Sequence, residues 1–213
     1  MFERRNYDAR YSNRRKVHGV GTNDAEYAVS YRGSEGRLLT CPYYSKWEGM
    51  LRRCYSPLAY PTYKGCTVID EWLLFSNFRS WMEKQDWQGK QLDKDLLVIG
   101  NKIYGKATCI FVSAGINSLM LDSRKSRGKY PLGVDFSKNS GKYRARCRVG
   151  KVSKALGYYK SPQLAHLAYL RCKLGVVTSV LDTEEVAGCI KLKCGILQLI
   201  EHLKDKIKES EDE

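Results

Sequence analysis

The sequence has no long apolar run, and this absence excludes one broad class of protein. Its longest uninterrupted apolar stretches are about five residues, whereas a membrane-spanning helix needs about 20. The N-terminal stretch MFERRNYDARYSNRRK also lacks the apolar region of a secretory signal. We therefore expect a cytoplasmic protein that is neither secreted nor membrane-spanning. Its eight cysteines are then expected to be reduced thiols.

Histidine is scarce, and the cysteines lack the spacing of a zinc module. The three histidines lie far apart in the chain, at His18, His166 and His202. Four cysteines of the N-terminal half could converge on zinc, namely Cys41, Cys54, Cys66 and Cys109. Because no C-x2-C pair occurs among them, buried free thiols are the favoured interpretation, and zinc is not expected.

Acidic residues are few relative to basic ones, and the imbalance is concentrated in one segment. The chain has 37 Lys and Arg against 23 Asp and Glu, a net charge of +14. Residues 118–181 contain 14 basic and 2 acidic residues, a net +12, whereas residues 182–213 carry a net −4. Such an excess favours a polyanionic partner. We expect double-stranded DNA rather than a membrane surface, because no basic amphipathic helix stands out.

Changes in composition predict five segments in an α+β protein. Residues 1–39 form a basic N-terminal arm, which is either disordered or lies along phosphate. Residues 40–121 form a module of helices and short strands. Residues 122–130, DSRKSRGKY, form a basic linker that marks a domain boundary. Residues 131–181 form a small basic domain, and residues 182–213 form a C-terminal helix with an acidic tail.

Apolar residues at helical spacing predict two helices in residues 40–121. The first stripe consists of Trp47, Met50, Leu51 and Cys54, and the second of Trp72, Phe75, Phe78 and Met82. We expect these side chains to form a core rather than a base-stacking platform. Leu92–Ile99 and Lys102–Tyr104 flank Gly100-Asn101, a dipeptide typical of tight turns, and therefore predict a β-hairpin.

Strict alternation predicts a strand with two different faces in the basic domain. One face carries Arg144, Arg146 and Arg148, and the other carries Tyr143, Ala145, Cys147 and Val149. Leu132–Phe136 and Lys154–Tyr159 predict the strands on either side. Ser161 and Pro162 predict the start of a helix. The helix residues expected to cover the apolar face of the sheet are Leu164, Leu167, Ala168 and Leu170.

A three-stranded antiparallel sheet backed by one helix leaves one face bare, and here that face is rich in arginine. The predicted DNA contacts are Arg144, Arg146 and Arg148, with Lys142, Lys151 and Lys154 close by. The string LGVDF…GKYRARCRV…KALGYYKSPQLAHLAY resembles the APETALA2/ethylene-response-factor DNA-binding domain. That resemblance implies a sheet that reads DNA and a helix that supports it.

Residues 41–121 resemble the N-terminal part of bacteriophage-type HNH endonucleases that carry such a domain. The matching strings are KWEGMLRRCYS, YPTYKGCTVIDEWLLFSNF, LDKD and GNKIYGKATC, followed by IN. The resemblance implies a ββα nuclease module with flanking helices, and a catalytic site formed by Asp93, Asp95, Thr108 and Asn117. It also implies a divalent ion, Mg²⁺ or Mn²⁺, held by Asp93, Asp95 and Asn117.

The residue types depart from the HNH pattern, so two functions remain open. Thr108 stands at the central asparagine position, and residues 41–121 contain no histidine. An aspartate is a poorer general base than a histidine at neutral pH. The chain is either a metal-dependent DNA endonuclease, nicking or homing-like, or a non-catalytic, regulatory DNA-binding protein that keeps a degenerate HNH fold.

The last segment predicts a long helix. Asp182-Thr183-Glu184-Glu185 resembles a capping box. Apolar residues follow at helical spacing, namely Val186, Ile190, Leu197, Ile200, Leu203 and Ile207. This stripe is expected to pack against the preceding helix, and a homodimer formed through it is the alternative.

Overall fold

A computed structural model of the chain describes residues 2–5, 15–56, 58, 60–120 and 129–212. Within these residues the chain forms six α-helices and nine β-strands, so the predicted α+β class is confirmed. The chain divides into two compact units. The first consists of Met1–Asp95 and Gly100–Val112, and the second of Leu96–Ile99 and Ser113–Glu213.

The first unit combines two helices with three small two-stranded sheets. In chain order its elements are β1 (Ser30–Arg32), β2 (Leu38–Thr40), α1 (Pro42–Tyr55), β3 (Thr67–Val68), α2 (Phe75–Met82), β4 (Gln91–Asp93), β5 (Ile103–Tyr104) and β6 (Ile110–Val112). The pairs β1–β2 and β4–β6 are antiparallel, whereas β3 and β5 run parallel. Short 3₁₀ helices cover Pro61–Tyr63 and Asp70–Leu73.

The two predicted apolar stripes form the core of this unit, as expected. All eight of their side chains are buried. Trp47 Nε1 donates a hydrogen bond of 2.6 Å to the carbonyl of Trp72, which ties α1 to the 3₁₀ helix that precedes α2. Trp72 packs edge-on against Phe78, with ring centroids 5.1 Å apart. These rings are therefore enclosed by protein and do not stack on bases.

The prediction of a free basic arm is wrong for residues 15–39, which fold onto the first unit. Tyr27 is buried in the same core as α1 and α2. The amide of Thr22 donates a 2.8 Å hydrogen bond to the carbonyl of Leu73. The polar composition concealed this packing, because much of the attachment uses backbone groups, which every sequence has. Residues 6–14 of the predicted arm lie outside the described residues.

The predicted hairpin at Gly100-Asn101 is also wrong. Gly100 does turn the chain, with a φ of 75°. The strands that follow and precede it pair elsewhere, however, because β4 pairs with β6 and β5 pairs with β3. The side-chain amide of Asn101 donates to the carbonyls of Lys94 and Ile103, at 2.8 and 2.7 Å. Asn101 thus closes an irregular loop rather than a hairpin.

The second unit contains the three-stranded sheet and the long helices. In chain order its elements are α3 (Ala114–Asn117), β7 (Val134–Ser137), β8 (Lys142–Val149), β9 (Val152–Tyr159), α4 (Pro162–Ser179), α5 (Glu184–Ala187) and α6 (Ile190–Asp212). A 3₁₀ helix follows α3 at Ser118–Met120. The predicted linker 122–130 lies outside the described residues except for its last two positions. The boundary between the units falls earlier, after Val112.

The antiparallel sheet has the order β7–β8–β9 and packs on α4, as predicted. The hydroxyl of Ser161 accepts a 3.2 Å hydrogen bond from the amide of Leu164, so the predicted helix start is confirmed. Leu164 itself does not cover the sheet, because its side chain is 51% exposed. Ala168 packs beside Val134 as predicted, together with Ala165, which the prediction did not include. Their short side chains let α4 lie close to the strands.

The C-terminal helix α6 packs against α4, as expected. Ile200 and Leu203 of the predicted stripe are buried, as expected. The remainder of the buried face consists of residues that the prediction did not include: Leu192, Gly195, Ile196 and Leu199. Ile190 and Leu197 are exposed. A homodimer through α6 stays a prediction.

The predicted capping box is wrong. Thr183 precedes α5 but makes no side-chain cap, because its hydroxyl donates to the carbonyl of Val180 at 2.7 Å. Glu185 instead accepts a hydrogen bond of 2.7 Å from the amide of Ser113, at the start of α3. The helix that begins here ends at Ala187, and α6 begins separately at Ile190.

Candidate nucleic-acid interface

The strand register sorts the side chains of the sheet onto two faces. Residues directly opposite each other in an antiparallel pair point to the same side. One side faces α4 and includes Ala145 and Cys147, both buried. The other side, here called the arginine face, carries the following residues of β7, β8 and β9: Asp135, Ser137, Lys142, Arg144, Arg146, Arg148, Ser153, Ala155 and Tyr158.

Asp135 neutralises part of the arginine face, which the alternation in β8 could not reveal. It lies directly opposite Arg144, and its Oδ2 accepts a hydrogen bond of 2.8 Å from Nη2 of that residue. Its Oδ1 lies 2.9 Å from Nε of Arg146. The hydrogen bond and charge of Asp135 raise the pKa of Arg144 above its ordinary value. One carboxylate thus orients two guanidinium groups in the sheet.

A β-bulge determines which residues of β9 lie on the same face of the sheet as the arginines. The register shifts between Ala145 and Arg146, and Gly157 adopts a φ of 134° beside that shift. Tyr158 therefore lies opposite Arg144, on the arginine face, and is 52% exposed. Lys154 lies opposite Cys147, on the side of α4. Without the bulge, the two-residue period would give Lys154 and Tyr158 the same face.

Lys142 and Lys151 lie near the two ends of β8. Lys142 is the first residue of that strand, opposite Ser137, and is exposed. Lys151 lies in the turn between β8 and β9, where Gly150 has a φ of 60°. Both ammonium groups therefore extend the positive charge of the arginine face beyond the three guanidiniums.

Four side chains form the centre of the predicted nuclease site, and three of them lie in the first unit. Asp93 is buried and accepts a 2.9 Å hydrogen bond from the amide of Asp95. Lys94 Nζ lies 2.6 Å from Oδ1 of Asp95 and donates to the carbonyl of Asn101 at 2.8 Å. Thr108 donates its hydroxyl hydrogen to a carbonyl, that of Ile103, at 2.7 Å. Asn117 ends α3 and belongs to the second unit.

One of the predicted ligands of the divalent ion is engaged in another interaction. The Asp95 carboxylate is already paired with the buried ammonium of Lys94, which occupies one oxygen that a metal would need. Among the described residues, no cluster of three or more His, Cys, Asp or Glu side chains is placed to hold a metal ion. The four cysteines considered for zinc are all buried free thiols.

A further polar cluster gave no signal in the sequence. His18 Nε2 lies 2.7 Å from Oε1 of Glu48, and His18 Nδ1 lies 3.1 Å from Oγ of Ser56. His18 has a φ of 50°, in the left-handed region that residues other than glycine seldom adopt. Its ring joins the N-terminal segment to α1 and to the residue that follows α1. The cluster explains how a polar segment is held in place.

Comparison with protein-family models, with curated proteins and with solved structures found no match. Within the described part of the chain, no helix combines the length and the apolar character that are needed to cross a bilayer.

Proposed function

We propose that this protein binds double-stranded DNA through the arginine face of its three-stranded sheet. The observation that carries the proposal is the row of Lys142, Arg144, Arg146 and Arg148 on the arginine face of β8, where all but the half-buried Arg144 are exposed. The opposite side of the same strand is buried under α4. A rigid strand that presents guanidinium groups at every second residue suits the major groove, which accepts a β-sheet edge or ribbon.

The charge distribution supports the same surface. Residues 118–181, which contain the whole sheet, carry a net +12. Phosphate contacts by such a segment release counterions, and they supply affinity that falls steeply with salt. The guanidinium groups of Arg144 and Arg146 are oriented by Asp135, so less side-chain entropy is lost when they meet bases. Tyr158 adds an exposed ring that can pack on a sugar or a thymine methyl group.

Fluorescence anisotropy with a labelled duplex tests the proposal. The Arg144, Arg146 and Arg148→Ala substitutions should each weaken binding by about 1–3 kcal/mol where the contact is to a base edge. Lys154→Ala is the matched control, since it removes a positive charge from the same sheet on the other side. Equal losses for Lys154→Ala and Arg146→Ala would contradict a specific role for the arginine face.

A second candidate function is DNA cleavage by the HNH-like part of the chain, with Mg²⁺ or Mn²⁺. The order of elements favours it, because the antiparallel strands β4 and β6 are followed by the short helix α3, as in a ββα module. Asp93 lies on β4, and Asn117 lies on α3. Activity would require Lys94 to release Asp95, because that ammonium now pairs with the carboxylate.

A plasmid-nicking assay with Mg²⁺ or Mn²⁺ separates the two functions. The nuclease is supported if the parent protein cleaves the plasmid and Asp93→Ala does not, while the affinity of that variant for duplex DNA is unchanged. Asp86→Ala is the control, because Asp86 is an exposed acid of the same unit, in a surface ion pair with Lys90. No cleavage by the parent with either ion would favour a non-catalytic DNA-binding protein.

A further inference from the structure

A cleft of about 730 Å³ lies beside α4 and is here called the α4 cleft. Its walls are formed by α3 and the 3₁₀ helix after it, by the turn between β8 and β9, and by α4 and α5. All of these elements belong to the second unit. The volume lies within the range of sites that hold small organic ligands. The apolar residues that line it are Ile116, Leu119, Val149, Val176 and Val180.

Basic side chains outnumber acidic ones in the α4 cleft. Arg148, Lys151 and Lys173 line it, and Glu185 is the only acid among its described lining residues. The carboxylate of Glu185 already accepts a hydrogen bond of 2.7 Å from the amide of Ser113. Three positive charges against one negative charge leave an excess that attracts an anion.

Lys173 is the side chain best placed to meet that anion directly. It is half-buried, whereas Arg148 and Lys151 are exposed. Within the described part of the chain, its ammonium forms no hydrogen bond or ion pair. Desolvation lowers the pKa of Lys173, because the ammonium has lost water that no neighbouring acid replaces. An anionic group placed against Lys173 would supply the missing partner.

We propose that the α4 cleft binds a small organic anion, whose apolar body contacts the apolar lining and whose anionic group meets the ammonium of Lys173. An inorganic anion would leave the apolar lining in contact with water. An uncharged apolar molecule would bury the ammonium without a partner, which is costly. A molecule that has both an apolar body and one anionic group matches both parts of the lining.

Two residues of the α4 cleft also belong to the proposed DNA interface. Arg148 lies on the arginine face, and Lys151 lies in the turn between β8 and β9. A bound anion would neutralise part of their charge, so it should compete with duplex DNA. This competition rests on the proposed DNA-binding function, whereas the binding of the anion does not.

Two fluorescent probes test the ligand class on the full chain. Anilinonaphthalene sulfonate has an apolar ring system and one negative charge, and N-phenylnaphthylamine has the same rings without the charge. In fluorescence titrations, Lys173→Met should weaken binding of the sulfonate by about tenfold, as for one lost charge-assisted hydrogen bond. Binding of the neutral probe should not weaken. Lys191→Met removes an exposed charge from α6, is the matched control, and should leave the binding of both probes unchanged.

A second variant locates the bound probe. Lys173 also lines a smaller cavity of about 330 Å³, together with His166 and His202. Ser179 lines the α4 cleft but not that cavity, and it is exposed, so a larger side chain is tolerated there. Ser179→Trp should therefore fill part of the α4 cleft and weaken the binding of both probes. Circular dichroism checks that each variant is folded.

Three results would overturn the proposal. The first is no saturable binding of the sulfonate probe to the parent protein. The second is an equal loss of affinity in Lys173→Met and Lys191→Met, which would show that only net charge matters. The third is unchanged binding in Ser179→Trp, which, with a loss in Lys173→Met, would assign the anion to the smaller cavity.

Filter binding of a labelled duplex tests the competition. At a saturating concentration of the sulfonate probe, we expect affinity for the duplex to fall by about fivefold or more, as for one lost base contact. Unchanged affinity would overturn the competition. If the protein binds no DNA in the absence of the probe, the proposed function fails, while the fluorescence titration still decides whether the α4 cleft binds the anion.

Discussion

Oδ1 of Asp135 on β7 lies 2.9 Å from Nε of Arg146 on β8. The same carboxylate holds Arg144 through its other oxygen, at 2.8 Å. On the arginine face, a single carboxylate therefore fixes the orientation of two guanidinium groups. Under the proposed function, that acid would repel phosphate and so limit how strongly the face binds a duplex regardless of sequence.

Removal of this carboxylate should strengthen non-specific binding. Asp135→Asn frees two guanidinium groups and takes away one repulsive charge. We expect higher affinity for a duplex of arbitrary sequence, and a salt slope of log affinity that is steeper by about one. Glu201→Gln makes the same charge change on the exposed side of α6 and serves as the control. Equal effects of the two substitutions would show that only net charge matters.

Alanine substitutions at two helical glycines should change the free energy of unfolding in opposite directions. A Cβ at Gly195 on α6 would lie 2.6 Å from the carbonyl oxygen of Leu96, which is buried. Gly195→Ala should therefore lower the free energy of unfolding by about 1–3 kcal/mol. A Cβ at Gly175 on α4 meets open space, so Gly175→Ala should raise it by up to about 1 kcal/mol. Urea denaturation measures both, and similar shifts would contradict the close packing of Leu96 on α6.

The buried ammonium of Lys94 should contribute far more to stability than an exposed one. Lys94→Met leaves the carboxylate of Asp95 and the carbonyl of Asn101 without this partner, at a cost of about 1–3 kcal/mol. Lys106→Met breaks an exposed pair with Glu71 and should cost less than about 1 kcal/mol. Urea denaturation of both variants gives the comparison, and the reverse order would be incompatible with the buried position of Lys94.

Lys173 should make stability depend on alkaline pH. Desolvation lowers the pKa of this lysine in the folded protein. The unfolded chain therefore binds the proton more tightly, and stability rises as the pH passes upward through the folded pKa towards the ordinary value. As the pH rises from neutral towards the ordinary lysine pKa of 10.5, we expect the free energy of unfolding of the parent to increase relative to that of Lys173→Met. A constant difference between the two proteins over this range would exclude the desolvated ammonium as the cause.

The sequence predicted those parts of the fold that depend on local periodicity. The stripe from Trp47 to Cys54 is a buried helix face, and the alternation around Arg146 is a two-faced strand. Both patterns repeat within one element, so a short window of sequence contains them. The three-stranded sheet with its supporting helix was predictable for the same reason.

Features that depend on distant pairing were missed. The Gly100-Asn101 turn gave no information on which strands pair, because β4 pairs with β6, which lies beyond that turn and β5 in the chain. The bulge beside Gly157 reverses the side of Lys154, and a two-residue period cannot show that reversal. Asp135 joins the arginines only through the register between neighbouring strands. The sequence thus predicted the arginines of the candidate interface but did not predict that Asp135 and Tyr158 lie on the same face.

Site-specific photo-crosslinking tests the proposed interface most directly. A p-benzoylphenylalanine residue replaces Tyr158, on the arginine face, or Lys154, on the side of α4. The protein is then irradiated with a labelled DNA duplex at moderate salt, where binding to phosphate alone is weakened. Binding through the arginine face predicts a strong crosslink from position 158 and none above background from position 154. A crosslink from position 154 with none from position 158 would contradict it.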